Sequence, residues 1–261
     1  MAKRAILLFA SFFTLGMSVP TEASPSDSHN EEMPLFVWAP EDSGLEGRPI
    51  FVAAEKTLLP NGEVDPQLLN ENAVSWIEQE YLSSDPEEPC RSMHLADDHL
   101  NTSEPSWQDF ASITADADFI AVVRVTGIRD GFFAHGVGGS LIRLKPMQWL
   151  KGHADWQLKY LFIQVGDLQL GNRNFCLSHG QHSTMPEVGD RLVVSYEDKS
   201  VNRTYPLIYT SAPNIITLQG NGQASLPPWV RQKHPDWVGK PSASILGEIR
   251  RILRSQNGSA Q

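Results

Sequence analysis

Phe119-Ile120-Ala121-Val122-Val123-Arg124-Val125-Thr126-Gly127-Ile128 decides the fold. Six of these ten residues, Ile120, Val122, Val123, Val125, Thr126 and Ile128, are β-branched. Such side chains are stiff at χ1 and pack well on a pleated surface, so the run reads as a strand. The chain downstream continues in the same style. Arg129-Asp130-Gly131 carries turn chemistry, and Gly136 to Gly139 reads as a flexible loop. Ser140 to Leu150 is a second strand, irregular at Pro146, and Trp156 to Val165 a third. Gly166 to Met185 reads as a long loop holding Cys176. Pro186-Glu187-Val188-Gly189-Asp190 then turns the chain into a strand over Arg191 to Tyr196, followed by strands over Tyr205 to Thr210 and Asn214 to Leu218. Short strands separated by turns, with no long helix among them, describe a small antiparallel barrel or sandwich.

Helices flank this core. Ser106-Trp107-Gln108-Asp109 has the hydroxyl cap and early acid of a helix start, and that helix should stop near Asp118. Upstream, Met33 to Ala39 is an edge strand or a docking segment, and Asn72 to Leu82 has Val74, Ile77 and Tyr81 at helical spacing. Downstream, Ser244 to Arg254 sets Ile245, Leu246, Ile249, Ile252 and Leu253 in one apolar stripe, with Arg250, Arg251 and Arg254 toward its C-terminal end. It predicts a helix docked on the barrel.

The N-terminus predicts export. Lys3 and Arg4 precede the uncharged run Ala5 to Met17, which is too short for a membrane-spanning helix of roughly 20 residues. Thr21 and Ala23 supply small residues for cleavage after Ala23, although an uncut anchor would carry the same signal. The expected location is the periplasm or the extracellular medium, with no membrane span after cleavage.

Charge divides the chain. From Glu22 to Glu104 there are 19 acidic and 3 basic residues, so this segment repels itself and is expected to be only partly ordered. The whole chain carries −10, which argues against the phosphate attraction of a nucleic-acid binder. The expected organisation is a signal peptide at 1–23, an acidic and partly ordered extension at 24–104, a β-barrel domain at 105–226, and a Pro/Trp segment with an amphipathic helix at 227–261. The fold class is mainly β with added helices.

The helix leading into Ala117 to Val125, the strand end Trp149-Leu150-Lys151-Gly152, and Pro186 to Tyr196 occur in an order that resembles exported netrin-like or tissue-inhibitor-like domains. That resemblance covers a little under half the chain. It implies a five- or six-stranded OB-like barrel with added helices. Bacterial domains of this kind mostly lack an assigned activity. In the metalloproteinase inhibitors of this fold a cysteine at the mature N-terminus carries inhibition. Ser24 or Pro25 stands there in this chain, which argues against that activity.

Candidate chemistry is sparse. Cys90 and Cys176 are the only cysteines, and an even count in an exported chain predicts a disulfide between them. The competing reading is a reactive Cys176 thiol beside His179. His94 and His99 flank Asp97 and Asp98, and His179 and His182 lie close after Cys176. Imidazole and carboxylate are zinc ligands, yet there is no His-Glu-x-x-His, and solvated loop histidines are the preferred reading of the pattern. Gly138-Gly139-Ser140 lacks the Gly-x-Ser-x-Gly of a nucleophile elbow. Trp229 and Trp237 could present a face to a protein or a carbohydrate, but packing against the barrel is the reading preferred for them. The expectation is an exported, non-catalytic binding or interaction module with no cofactor, catalytic residue or resident metal. The alternative is a metal-dependent hydrolase using His94, His99, His179 and His182.

Overall fold

The computed structural model describes residues 32–38, 47–83, 91–94, 111, 114–115, 117–152, 159–164, 166–178, 185–196, 207–209 and 215–258. At 91–94, 178, 196, 207–209, 228–229 and 257–258 the backbone alone is described. The strands among these residues are, in chain order, β1 (Phe36–Trp38), β2 (Pro49–Ala53), β3 (Arg91–His94), β4 (Phe119–Phe133), β5 (Gly138–Lys151), β6 (Tyr160–Ile163), β7 (Gly166–Leu170), β8 (Arg173–Ser178), β9 (Arg191–Tyr196), β10 (Leu207–Tyr209), β11 (Ile215–Leu218) and β12 (Ala224–Ser225). The helices are α1 (Glu71–Ile77), which continues as a π-helical turn over Glu78–Leu82, then α2 (Pro228–Lys233) and α3 (Ser242–Gly258). The protein is mainly antiparallel β with few helices.

Nine strands form one sheet in the order β10-β6-β5-β4-β9-β11-β12, with β2 joined to β4 and β1 to β2. A second sheet runs β3-β8-β7. The described pairings are antiparallel except for β10 with β6 and β3 with β8.

β4 organises everything else. Its first half pairs with β9 and its last residues pair with β2, while β5 follows it along nearly all its length. Register shifts at Ile120/Ala121, Val122/Val123 and Val125/Gly127 bend it, as bulges do. On one face Ala121, Val123 and Val125 meet Ile142, Leu144, Leu161, Ile163, Leu192, Val194 and Ile215 in a single buried cluster. Five strands, β4, β5, β6, β9 and β11, contribute to it.

The opposite face has two separate covers. Val122, Val193, Ile216 and Leu218 lie under Ile245, Ile249 and Leu253 of α3, with Val230 and Trp237 alongside. Trp237 is 3% exposed, so it is a packing residue, as its position in the sequence suggested. Farther along, Leu141 and Phe162 lie under Met33, Val37, Ile50 and Phe51. The described residues from Glu32 onward belong to one compact unit. α1 is built into it: Tyr81 is fully buried between Phe132 and Phe175, at ring separations of 5.1 and 5.0 Å. The Gly138 N–H donates to the Tyr81 hydroxyl oxygen at 3.2 Å. Burial pushes the Tyr81 phenol up to about 12, so it stays protonated.

Three readings of the sequence are corrected here. Arg129-Asp130-Gly131 is not a turn but part of β4, and it pairs with Leu141, Ser140 and Gly139. The reversal falls later, where Gly136 takes φ +83° and donates to the Phe133 carbonyl at 2.8 Å. Gly138 and Gly139 therefore begin β5 rather than filling a loop. Gly166 to Ser178, read as loop, contains the hairpin β7–β8, which buries Leu168, Leu170, Phe175 and Leu177. No helix among the described residues is long and apolar enough to cross a membrane.

Candidate functional site

β3 and β8 run parallel with Ser92 opposite Cys176 and His94 opposite Ser178. The backbone preceding His179 is thus drawn beside His94. His99, His179, His182 and Cys90 lie outside the described residues. Among the described residues no three His, Cys, Asp or Glu side chains assemble as a metal group, and no cysteine is a free thiol.

One carboxyl with a raised pKa is Asp130. It stands opposite Ser140 across β4 and β5, and the Ser140 hydroxyl donates to its Oδ1 at 2.5 Å. This polar rung separates two apolar regions on one face of the hairpin. Ile128 and Ile142 lie on one side, and Phe132 lies on the other. Burial raises the Asp130 pKa, the Ser140 hydrogen bond opposes that rise, and the negative charges of Asp167 and Glu55 add to it. Gly166 closes the rung from above: at φ +142° an added Cβ would overlap the Ser140 hydroxyl oxygen and come within 3.2 Å of Asp130 Oδ1. Ser140 is fully buried and its proton is directed at Asp130, so a substrate cannot reach the hydroxyl. The rung is chemistry spent on structure.

A different arrangement lies on the exposed side of the sheet. Because Val123, Val125, Leu144 and Leu192 point into the five-stranded cluster, Arg124, Lys145 and Arg191 point away from it. Arg124 is directly opposite Lys145 on one side and directly opposite Arg191 on the other. Three cations therefore form one row across β5, β4 and β9. Arg124 and Lys145 are exposed, and Arg191 is half-buried. Arg143 borders the row on the same face, its Nε donating to Thr126 Oγ1 at 3.1 Å and its Nη2 to the Thr126 carbonyl at 3.2 Å. Arg250 of α3 stands at the other border, donating to Gln148 Oε1 at 2.7 Å.

The row occupies the bare strip between the two covers. On β4, Val122 is under α3 and Gly127 is under Met33, and Arg124 between them is exposed. Elsewhere, ion pairs join Arg129 with Glu55 and Glu32, Lys240 with Asp236, and Arg251 with Glu248. Asp190, next to Arg191 in sequence, is spent elsewhere. Its carboxylate accepts from the backbone N–H of Glu187 at 3.0 Å and of Gly220 at 3.1 Å, tying two turns together.

The sequence reading did not find this row. Positions 124, 145 and 191 are far apart in the chain, and only strand register makes them neighbours. The usable signal was the set of lone basic residues inside otherwise apolar strands. No family model and no curated protein matches the chain.

Proposed function

We propose that this chain is an exported, non-catalytic binding module on an OB-like barrel, and that the basic strip on its outer face is the binding surface. The strip carries this reading: it is the stretch of the β4–β5–β9 face left open between two apolar covers, and charged side chains line it.

The barrel rests on connectivity. β4, β5 and β6 pair in succession, and β4 also pairs with β9. β10 lies parallel beside β6, and β11 lies antiparallel beside β9. Only residues 210–214 separate β10 from β11. Taken as two halves of one strand, β10 and β11 close the ring β4-β5-β6-β10/β11-β9-β4, whose one parallel contact is the third strand against the fifth. The buried cluster fed by β4, β5, β6, β9 and β11 is then the barrel interior. This arrangement fits the netrin-like or tissue-inhibitor-like resemblance. Export rests on the charge and apolar pattern of residues 1–23.

A thermal-shift screen of the full chain tests the function. A ligand that binds only the folded state raises the midpoint in proportion to ln(1 + [L]/Kd). The screen should contain small anions, sugars and divalent metals. The expected hit stabilises the wild type, is recovered unchanged, and loses its effect in an Arg124→Glu/Lys145→Glu variant. A hit that is turned over, or whose effect survives that variant, contradicts the proposal.

A second reading, a metal-dependent hydrolase using His94, His99, His179 and His182, draws support from the His94–Ser178 register alone. It requires stoichiometric zinc after purification and its loss in His94→Ala.

A further inference from the structure

We infer that Asn221, in the turn between β11 and β12, is a site of spontaneous deamidation, and that its conversion to isoaspartate loosens the seat of α3. Asparagine is thermolabile, most of all before glycine, which has no side chain to shield its backbone nitrogen. Asn-Gly pairs stand at 61–62, 221–222 and 257–258. The first two form exposed turns built alike. Gly62 takes φ +86° and donates to the Leu59 carbonyl at 2.9 Å, and Gly222 takes φ +86° and donates to the Gln219 carbonyl at 3.0 Å. A Cβ added at either glycine would meet nothing within 4 Å, so both turns are open.

The reaction is intramolecular. The Gly222 nitrogen gives up its proton and attacks Asn221 Cγ. The Cγ–Nδ2 bond breaks, and Nδ2 leaves as ammonia carrying that proton. Water then opens the cyclic imide at either carbonyl, giving aspartate or isoaspartate. In sum, water replaces ammonia, with no change of oxidation state. The two turns differ in what faces the reacting amide. Asn61 Nδ2 donates to Glu63 Oε2 at 2.7 Å, which holds the amide in place. The same carboxylate repels the negative charge that builds on the attacking nitrogen and on Oδ1. At the second turn the corresponding residue is the neutral Gln223. Oδ1 is matched in the two turns: it accepts from the backbone N–H of Glu63 at 3.1 Å and of Gln223 at 2.9 Å, a bond that supports the developing oxyanion. The carboxylate is the difference, and it protects Asn61 while Asn221 reacts.

The product acts on α3 through Ser242, its first residue. The Ser242 N–H donates to the Gly222 carbonyl at 2.8 Å, and the Ser242 hydroxyl donates to the Gln223 carbonyl at 2.6 Å. Ser242 is 2% exposed, so its polar groups depend on those bonds. Isoaspartate routes the main chain through Cβ and lengthens it by a methylene, which moves both carbonyls relative to Ser242. Aspartate keeps the ordinary backbone, and its carboxylate can still accept from the Gln223 N–H. The lengthened backbone, rather than the added charge, therefore unseats the first turn of α3 and with it Ile245, which packs against the sheet.

The test is ageing of the full chain in mildly alkaline buffer, folded and in urea, followed by peptide mapping that separates asparagine, aspartate and isoaspartate. In urea Asn61 and Asn221 should convert at similar rates. In the folded chain Asn221 should convert about threefold faster than Asn61 or more, and Glu63→Gln should close that gap. Amide exchange in the first turns of α3, Ser244 to Ile249, should be faster in the isoaspartate form than in the unaged chain. Asn221→Asp should exchange like the unaged wild type. Equal conversion of the two asparagines in the folded chain overturns the site, as does an Asn221 that survives folded while it converts in urea. A gap that persists in Glu63→Gln overturns the role of the carboxylate. Unchanged exchange in the isoaspartate form, or equally fast exchange in Asn221→Asp, overturns the link to α3.

Discussion

Asp130 shows how one residue can mislead a reader of sequence and still be explained by physics. Arg-Asp-Gly is turn chemistry by composition. Here the strand continues because Ser140 satisfies the carboxyl and Gly131 leaves room for the Phe51 ring, which approaches within 2.6 Å of where a Cβ would stand. The partner hydroxyl lies ten residues on, and only the hairpin brings it opposite. Because the folded-state pKa is raised above the unfolded one, the charged form is the costly one. Stability from this group is full below the unfolded pKa and is lost as pH rises through the folded value. Asp130→Asn should therefore be more stable than the wild type near neutral pH, and the gap should shrink in acid below about pH 4. Urea unfolding at both pH values checks this, and a gap that widens in acid would contradict it. Ser140→Ala leaves a buried carboxylate without its donor and should cost about 1.5–3 kcal/mol by the same assay.

At the scale of elements, legibility followed the strength of the local pattern. The start of β4 was readable from its run of β-branched residues, and α3 from an apolar stripe that repeats at helical period. β7 and β8 were not: Leu168, Leu170, Phe175 and Leu177 alternate, but Asp167, Gln169, Arg173 and Asn174 between them give the segment the composition of a loop. The helix read over Asn72 to Leu82 was legible despite its acidic surroundings, and it is present as α1 with its π-helical continuation, where Ile77 and Tyr81 are completely buried. α3 is the lid of the second cluster, and Ile249 has no exposed surface. Ile249→Ala should cost about 2–5 kcal/mol, read as a lower denaturant midpoint. A cost below 1 kcal/mol would mean that α3 is not seated on β4 and β9 as described.

At the scale of the whole molecule, long-range pairing matters most, and sequence conveys it least. The parallel register of β3 with β8 draws the chain just after Cys90 beside Cys176. The bridge proposed between these two cysteines would close a loop of about 86 residues and contribute roughly 4–5 kcal/mol before strain. Non-reducing mass spectrometry of the natively folded protein should show the two cysteines linked. Two titratable thiols would refute the bridge and return Cys176 to the reactive-thiol reading.

The basic strip is the other product of long-range pairing, and the account stands or falls on whether a ligand sits there. Amide chemical shifts of the isotope-labelled full chain, followed during titration with the ligand that stabilises it in the thermal-shift screen, locate the ligand residue by residue. Saturable shifts are expected around Arg124, Lys145 and Arg191, with smaller ones at Thr126 and Arg143. Shifts confined to 94–99 and 178–182, where the histidines lie, or no shifts at all, would contradict it.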